Sequence, residues 1–328
     1  MAAHNAPGKF YRKGISLPEL FRMFPDDETA ERWFEEQRWG QAGKPSSCPM
    51  CGCADNLSKV PSGKPLPYWC GDCRRNFSVR TGTVMHRSKI GLQKWVIGIF
   101  LWSTSLKGVS SMKLHRDLNI TQKSAYFMAQ RLREAWSQKG GLMRGPLEVD
   151  ETYMGGLEKN KHAKKKLKVG GGPSGKIPVV GAKDKAENKI QAKVIEAADK
   201  ETLHAFVGSV AKPGATVHTD EAKTYKGIPN VSHYTVNHSV GEYVNGQVHT
   251  NGIESFWAGL KRAHKGTFHK ISHKHLQKYV DEFATRHNLR ERDTIVMMQA
   301  TVAMMDGKRL TYDQLIEDNG LPSGARAA

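Results

Sequence analysis

The chain is short of several things, and each shortage narrows its class. It has no run of 18 apolar residues, so no membrane span is expected. The opening residues, MAAHNAPGKFYRKG, lack the apolar core of a secretory signal, which leads us to expect a cytoplasmic protein. Cysteine is sparse: five in 328 residues, four of them in two tight pairs. In a reducing compartment that pattern points to a metal rather than to disulfides. Acids are outnumbered, 32 Asp and Glu against 50 Lys and Arg, for a net charge of +18. Such an excess favours a polyanionic partner, nucleic acid first and an anionic membrane surface second.

What is present changes in texture along the chain. Residues 15–39 suit short helices, with Pro18 in a first turn and Asp26 or Asp27 as an N-cap. Residues 91–106 (GLQKWVIGIFLWSTSL) form an apolar helix too short to span a bilayer. Residues 108–136 read as helix, turn, helix, with Thr121 capping the second helix and Gln122, Lys123, Ser124 and Tyr126 crowding its start, where a recognition helix meets DNA. A plain helical hairpin fits the same pattern. From about residue 145 strands take over: PLEVDETYM, then 177–183 and 189–195 as a hairpin, a helix at 199–210, and strands at 215–220 and 232–237. Helices follow at 251–262 and 273–290, so this half is a mixed α/β domain. Between the first two strands, residues 159–168 hold six lysines, including Lys164, Lys165 and Lys166, ahead of a Gly-rich hinge. This reads as a solvated loop, or one that orders on DNA.

Cys48-Pro-Met-Cys51 and Cys70-Gly-Asp-Cys73, 18 residues apart, have the spacing of a four-thiolate structural zinc site. Aromatic and β-branched neighbours make the module a zinc ribbon, and a closed sulfur set leaves zinc no open position for catalysis. Cys53 is the spare thiol, able to compete with Cys51. Arg74, Arg75 and Arg80 give the module a basic surface suited to DNA.

Three acids stand out. Asp150 and Asp220 each fall at the end of an alternating strand, and Glu254 lies near the start of the helix HTNGIESFWAGLKR. Ile253, Phe256, Trp257 and Leu260 give that helix one apolar face. Singly, each acid has a plain explanation: a solvated strand end, a helix cap, and the acid of a capping box begun by Asn251. Together, carboxylates at two strand ends and one helix are the oxygen ligands that two Mg²⁺ ions need for displacement at phosphorus. Adjacent residues on a strand face opposite sides, so only one of Asp150 and Glu151 can enter such a site.

The order of the modules, CPMCG…YWCGDCRRNFSVRTGTVM, KWVIGIFLW, VDETYMGG, HTDEAKTY and HTNGIESFWAGLKRAHKGTFHKIS, resembles the ISXO2-like (IS1595) insertion-sequence transposases across about residues 15–290. The resemblance implies an RNase H-like catalytic domain at 145–292 with a basic loop at 158–176. Before it come a helical segment (1–44), a zinc ribbon (45–88) and a helix-turn-helix-like region (89–140), and after it a helical tail (293–328). It implies a DDE triad of Asp150, Asp220 and Glu254 binding two Mg²⁺ (or Mn²⁺), with Asn251 as the alternative third residue. Lys261, seven residues after Glu254, would touch DNA near the cut. The family's chemistry is cleavage by a metal-bound water to leave a 3′-hydroxyl, then transfer of that end to target DNA. The implied partners are terminal inverted repeats and target DNA as duplexes, contacted by Arg74, Arg75, Lys123, Lys164, Lys165, Lys166, Lys261 and Arg262, with a homo-oligomer in the active complex and bacterial, nucleoid-associated action. Covalent recombinase chemistry lacks a persuasive nucleophile motif at Tyr153, Tyr225 or Tyr243. The remaining alternative is a catalytically inactive zinc-ribbon DNA-binding protein.

Overall fold

The computed structural model describes residues 13–137, 140–156, 175–220, 223–236 and 250–322. The chain divides into two compact units, Met1–Trp136 with Glu291–Glu317, and Ser137–Arg290 with Asp318–Ala328.

The first unit begins with α1 (Leu17–Met23), opened by a reciprocal capping box between Ser16 and Glu19 with Pro18 in the first turn. Helix α2 (Asp27–Trp39) is capped by Asp26 and stopped by Gly40, whose φ of 79° lies in the left-handed region that ends helices. A three-stranded antiparallel ribbon follows: β1 (Leu57–Lys59), β2 (Tyr68–Cys70) and β3 (Arg75–Phe77). Tyr68 stacks on Phe77, Trp39 meets both rings edge-on, and the Tyr68 hydroxyl donates to buried Glu35. Helices α3 (Leu92–Thr104), α4 (Ser111–Leu118) and α5 (Gln122–Ala135) come next. The turn between α4 and α5 passes through Asn119 in the left-handed conformation, and Thr121 caps α5 as its sequence suggests. Trp95, Trp102 and Trp136 are fully buried, with Trp102 and Trp136 edge-to-face at 5.8 Å.

In the second unit, β4 (Leu147–Met154), β5 (Ile177–Asp184), β6 (Lys189–Val194), β7 (Thr216–Asp220) and β8 (Ser232–Val236) form one sheet in the order β6-β5-β4-β7-β8. Strands β4, β5 and β6 are antiparallel, while β4-β7 and β7-β8 are parallel. This is the mixed α/β arrangement expected from the sequence. Alternation along β4 divides the core. Leu147 and Val149 pack with Val180, Val217 and the apolar face of α6 (Lys200–Val210), whose N-cap is Asp199. On the opposite face, Met154 and Val179 pack with α7 (Asn251–Ala263) and α8 (His273–Leu289) through Ile253, Trp257, Leu260 and Val280. Each fully buried aliphatic side chain contributes about 1.5–3 kcal/mol, which makes these two clusters the main hold on the sheet. A π-helical turn, His264–Phe268, ends α7.

The chain then returns to the first unit with α9 (Thr294–Met305) and α10 (Tyr312–Ile316). Trp136 donates its indole N–H to Thr301 of α9 at 3.1 Å. None of the described helices is long and apolar enough to cross a membrane.

Candidate active site and metal centre

The four cysteines of the ribbon converge. Cys48 and Cys51 come from the knuckle before β1, Cys70 ends β2, and Cys73 lies in the turn to β3. All four Sγ atoms lie within 4.8 Å of one another, with Cys48–Cys73 and Cys51–Cys70 at 3.7 Å. A tetrahedron of sulfurs about 2.3 Å from a zinc ion has edges of about 3.8 Å, so the set fits zinc. Burial and the neighbouring sulfurs push the Cys73 thiol up to about 12 in the absence of a cation. A divalent ion reverses that preference by binding the thiolates. Cys53 stands outside the cluster, close to Asp72, so it does not compete with Cys51.

The acids occupy the middle of the second unit. Asp150 is the fourth of eight residues in β4 rather than its end, because β5 pairs with β4 all the way to Met154. On the other edge, β7 pairs only at Leu147↔Val217 and Glu148↔His218. Continued by two residues, that register sets Asp150 level with Asp220, the last residue of β7, where the ladder has opened. Strand β4 is also where the sheet order reverses, with β5 and β6 to one side and β7 and β8 to the other. Open α/β sheets bind their ligands at such a switch point.

The Asp150 carboxyl is pushed up to about 7, first by burial and then by the charges of Glu151, Asp220 and Glu254. Glu151 points to the other face, where it accepts the Tyr225 hydroxyl at 2.5 Å. Glu254 is exposed on the first turn of α7 and accepts the Thr250 hydroxyl at 2.8 Å. Among the described residues, only the four cysteines are gathered closely enough to hold one ion with three or more ligands. Asp220 and Glu254 both bear electrostatically on Asp150, but the three carboxylates are not gathered to that closeness. Their chemistry, oxygen donors burdened by like charge, suits a hard divalent cation.

The start of α7 differs from the capping box expected of Asn251 and Glu254. Thr250 is the N-cap, its side chain caps no backbone amide, and Asn251 is the exposed first helical residue. The amide of Ile253 instead donates to the carboxylate of Glu148, 105 residues earlier, at 2.9 Å. A distant acid on β4 supplies what a local cap would have given.

The basic residues named above lie on several elements. Arg74 and Arg75 are exposed on the ribbon, and Lys261 and Arg262 are exposed in the last turn of α7. The Lys123 ammonium lies over the Tyr312 ring of α10 at 4.7 Å, so a phosphate must compete with that contact. Lys164, Lys165 and Lys166 lie outside the described residues.

A family model described as the ISXO2-like transposase domain matches residues 142–288. This segment is similar to the ISXO2-like transposase domain over that span. The chain is also 26% identical over 280 residues to an uncharacterized protein in transposable element ISH50 of Halobacterium salinarum, covering 81% of this chain and 92% of that one. A weaker likeness is to a chain in the cryoEM structure of the simian T-cell lymphotropic virus intasome in complex with PP2A regulatory subunit B56 gamma. There the identity is 12% and the TM-score 0.28, covering 58% of this chain and 64% of that one, which is less than two thirds of its length.

Within residues 142–288, three residues that the sequence does not single out shape the surroundings of Asp150. Trp257 donates its indole N–H to Asp150 at 3.1 Å. Gly181, opposite Asp150 in the β4–β5 register, makes room for that indole: a Cβ there would lie 2.8 Å from the Trp257 ring. Glu148 is only 1% exposed and sits two residues before Asp150 on the same face. Trp257 had been placed on an apolar face, and a glycine in a strand signals close approach without naming the partner.

Proposed function

We propose that the chain is an insertion-sequence transposase that binds its element's terminal inverted repeats as duplex DNA and catalyses Mg²⁺-dependent strand cleavage and strand transfer through a DDE triad. The reading is carried by one observation: the charges of Asp220, from a strand end, and Glu254, from α7, both bear on the Asp150 carboxyl at the switch point of the sheet. Asp150, Asp220 and Glu254 would hold the metals, and Lys261 would hold a phosphate beside the cut. Two bound Mg²⁺ ions, or Mn²⁺ in their place, supply activation of the attacking oxygen and stabilisation of the leaving one. Asp150 in particular favours a cation, because binding relieves the like charge crowding its carboxyl.

The strand order, three antiparallel strands followed by two parallel ones on the far side of β4, supports an RNase H-like fold for residues 145–292. The zinc-holding ribbon and the α4–α5 pair recognise the inverted repeats, and a homo-oligomer brings both element ends together. The test is Mg²⁺-dependent cleavage of an inverted-repeat duplex. Asp150→Ala and Asp220→Ala should each lower it by at least a thousandfold with folding intact. Cleavage unchanged in either variant would remove that residue from the triad. Glu254→Gln compared with Asn251→Ala decides the third residue: the first should abolish cleavage and the second should leave it near wild type.

A further inference from the structure

Helix α7 is tied to β4 at two points that match in spacing. Ile253 N–H reaches Glu148, and four residues on, the Trp257 indole reaches Asp150, two residues along the strand. Four helical residues rise about 6.0 Å, and two strand residues advance about 6.6 Å. The two ties are spaced alike on helix and strand, and together they hold the start of α7 against β4. The lower tie is the more deeply buried. Glu148 is 1% exposed, lies across the ladder from Lys183, and has Lys185 Nζ at 3.9 Å. Its carboxylate faces the amides of the first turn of α7, where the helix dipole favours negative charge. Ile253 N–H also points at Thr250 O, but at 3.1 Å, which makes Glu148 the nearer acceptor.

The sequence around the tie is fitted to it. A Cβ on Gly252 would lie 2.5 Å from Glu148 Oε2 and would also strike Lys183 Nζ. The lysine end can swing away, whereas the carboxylate is held by the Ile253 amide. Glycine is thus required at the second helical residue so that Glu148 can approach the amide.

We propose that Glu148 is a positioning residue of the transposase reaction. By capping α7 from the neighbouring strand, it sets where Glu254 stands relative to Asp150. This rests on the catalytic reading above. Glu254 follows Ile253 directly, and its carboxylate is steadied by Thr250, the residue whose carbonyl shares the same amide. Release of the tie lets the first turn shift, and Glu254 moves with it while Asp150 stays on its strand. The consequence is weaker cooperation of the acids on a cation, not loss of the fold.

The test uses the full chain and the variants Glu148→Gln, Glu148→Ala and Gly252→Ala. Two quantities are read: the Mg²⁺ concentration at half-maximal cleavage of an inverted-repeat duplex, and hydrogen exchange of the α7 amides without DNA. Glu148→Gln keeps an acceptor for Ile253 and should stay within about threefold of wild type in both. Glu148→Ala and Gly252→Ala should each raise the Mg²⁺ midpoint about tenfold and speed exchange of the Ile253 amide by a similar factor, the scale of one hydrogen bond to a charged group. Gly252→Ala keeps the buried charge and adds a better helix former, so it covers the case in which Glu148→Ala does not fold. The proposal is overturned if the folded Ala variants keep the wild-type midpoint, even with slower turnover, or if Glu148→Gln is as impaired as Glu148→Ala. A wild-type chain that cleaves nothing sinks the catalytic reading instead. In that case the exchange data still decide the tie, because unchanged Ile253 exchange in Glu148→Ala refutes it.

Discussion

His287 on α8 has its Nε2 atom buried without a hydrogen-bond partner among the described residues. Burial, then the charges of Arg290 and Lys183, depress its pKa to about 3. An unfolded histidine takes a proton near 6.5, so between about 6.5 and 3 the unfolded chain binds a proton that the folded chain refuses. Stability tied to this residue is therefore complete above about 6.5 and falls as pH drops through that window. His287→Phe, which keeps a ring against Phe256, should remove this dependence. The stability difference between variant and wild type should move in the variant's favour by up to about 1.4 kcal/mol per pH unit below 6.5. Denaturant midpoints measured between pH 7 and pH 4.5 check it, and a difference constant with pH would rule this histidine out as the acid-sensitive group.

At the scale of elements, the ribbon and α7 illustrate two kinds of dependence. Strands β1, β2 and β3 have three residues each, and their shared core is little more than Cys48, Tyr68, Cys70 and Phe77. So small a core does not stand without a staple. The protein should contain one zinc per chain. Stripping it with a chelator should unfold the ribbon, red-shifting the emission of Trp39, which packs on Tyr68. Unchanged emission after complete zinc removal would mean the ribbon holds by other contacts. Helix α7 depends on Gly181 in a different way. Gly181→Ala forces the Trp257 indole off the sheet, and overpacking of this kind costs about 1–3 kcal/mol. It should lower the thermal midpoint of the second unit and raise the Mg²⁺ demand of cleavage together; a neutral effect on both would mean the indole has room to yield.

Most of these elements were legible in the sequence because their signals are local. The caps Asp26 and Thr121, the apolar stripe Ile253, Phe256, Trp257 and Leu260, and the spacing of the cysteine pairs each act within a few residues. What was not legible depends on pairings far apart in the chain. Asp150 looked like a strand end because the signal for continuation lies in β5, which begins 27 residues later. Asn251 looked like a cap because the acceptor for the α7 amide is Glu148, which by itself reads as an exposed strand acid. The contact of Lys123 with the Tyr312 ring was not legible either, because Tyr312 stands 189 residues on.

At the scale of the whole molecule, the net charge of +18 is a statement about association. Each Lys or Arg that neutralises a DNA phosphate releases counterions, so log K falls linearly with log salt at about 0.9 per contact. Arg74, Arg75, Lys261 and Arg262 are exposed, and Lys164, Lys165 and Lys166 add three more candidate cations. If these seven engage backbone phosphates, binding to an inverted-repeat duplex should show a slope of about −6. Replacing Lys164, Lys165 and Lys166 together with Ala should flatten the slope by about 3 and weaken binding equally for repeat and unrelated duplexes, since phosphate contacts carry no sequence information. Arg75→Ala should flatten it by about 1. Fluorescence anisotropy across 50–300 mM salt measures all three. A wild-type slope shallower than −2 would mean that the excess charge serves solubility rather than DNA binding. An unchanged slope in the triple-lysine variant would mean that these three lysines do not contact the backbone.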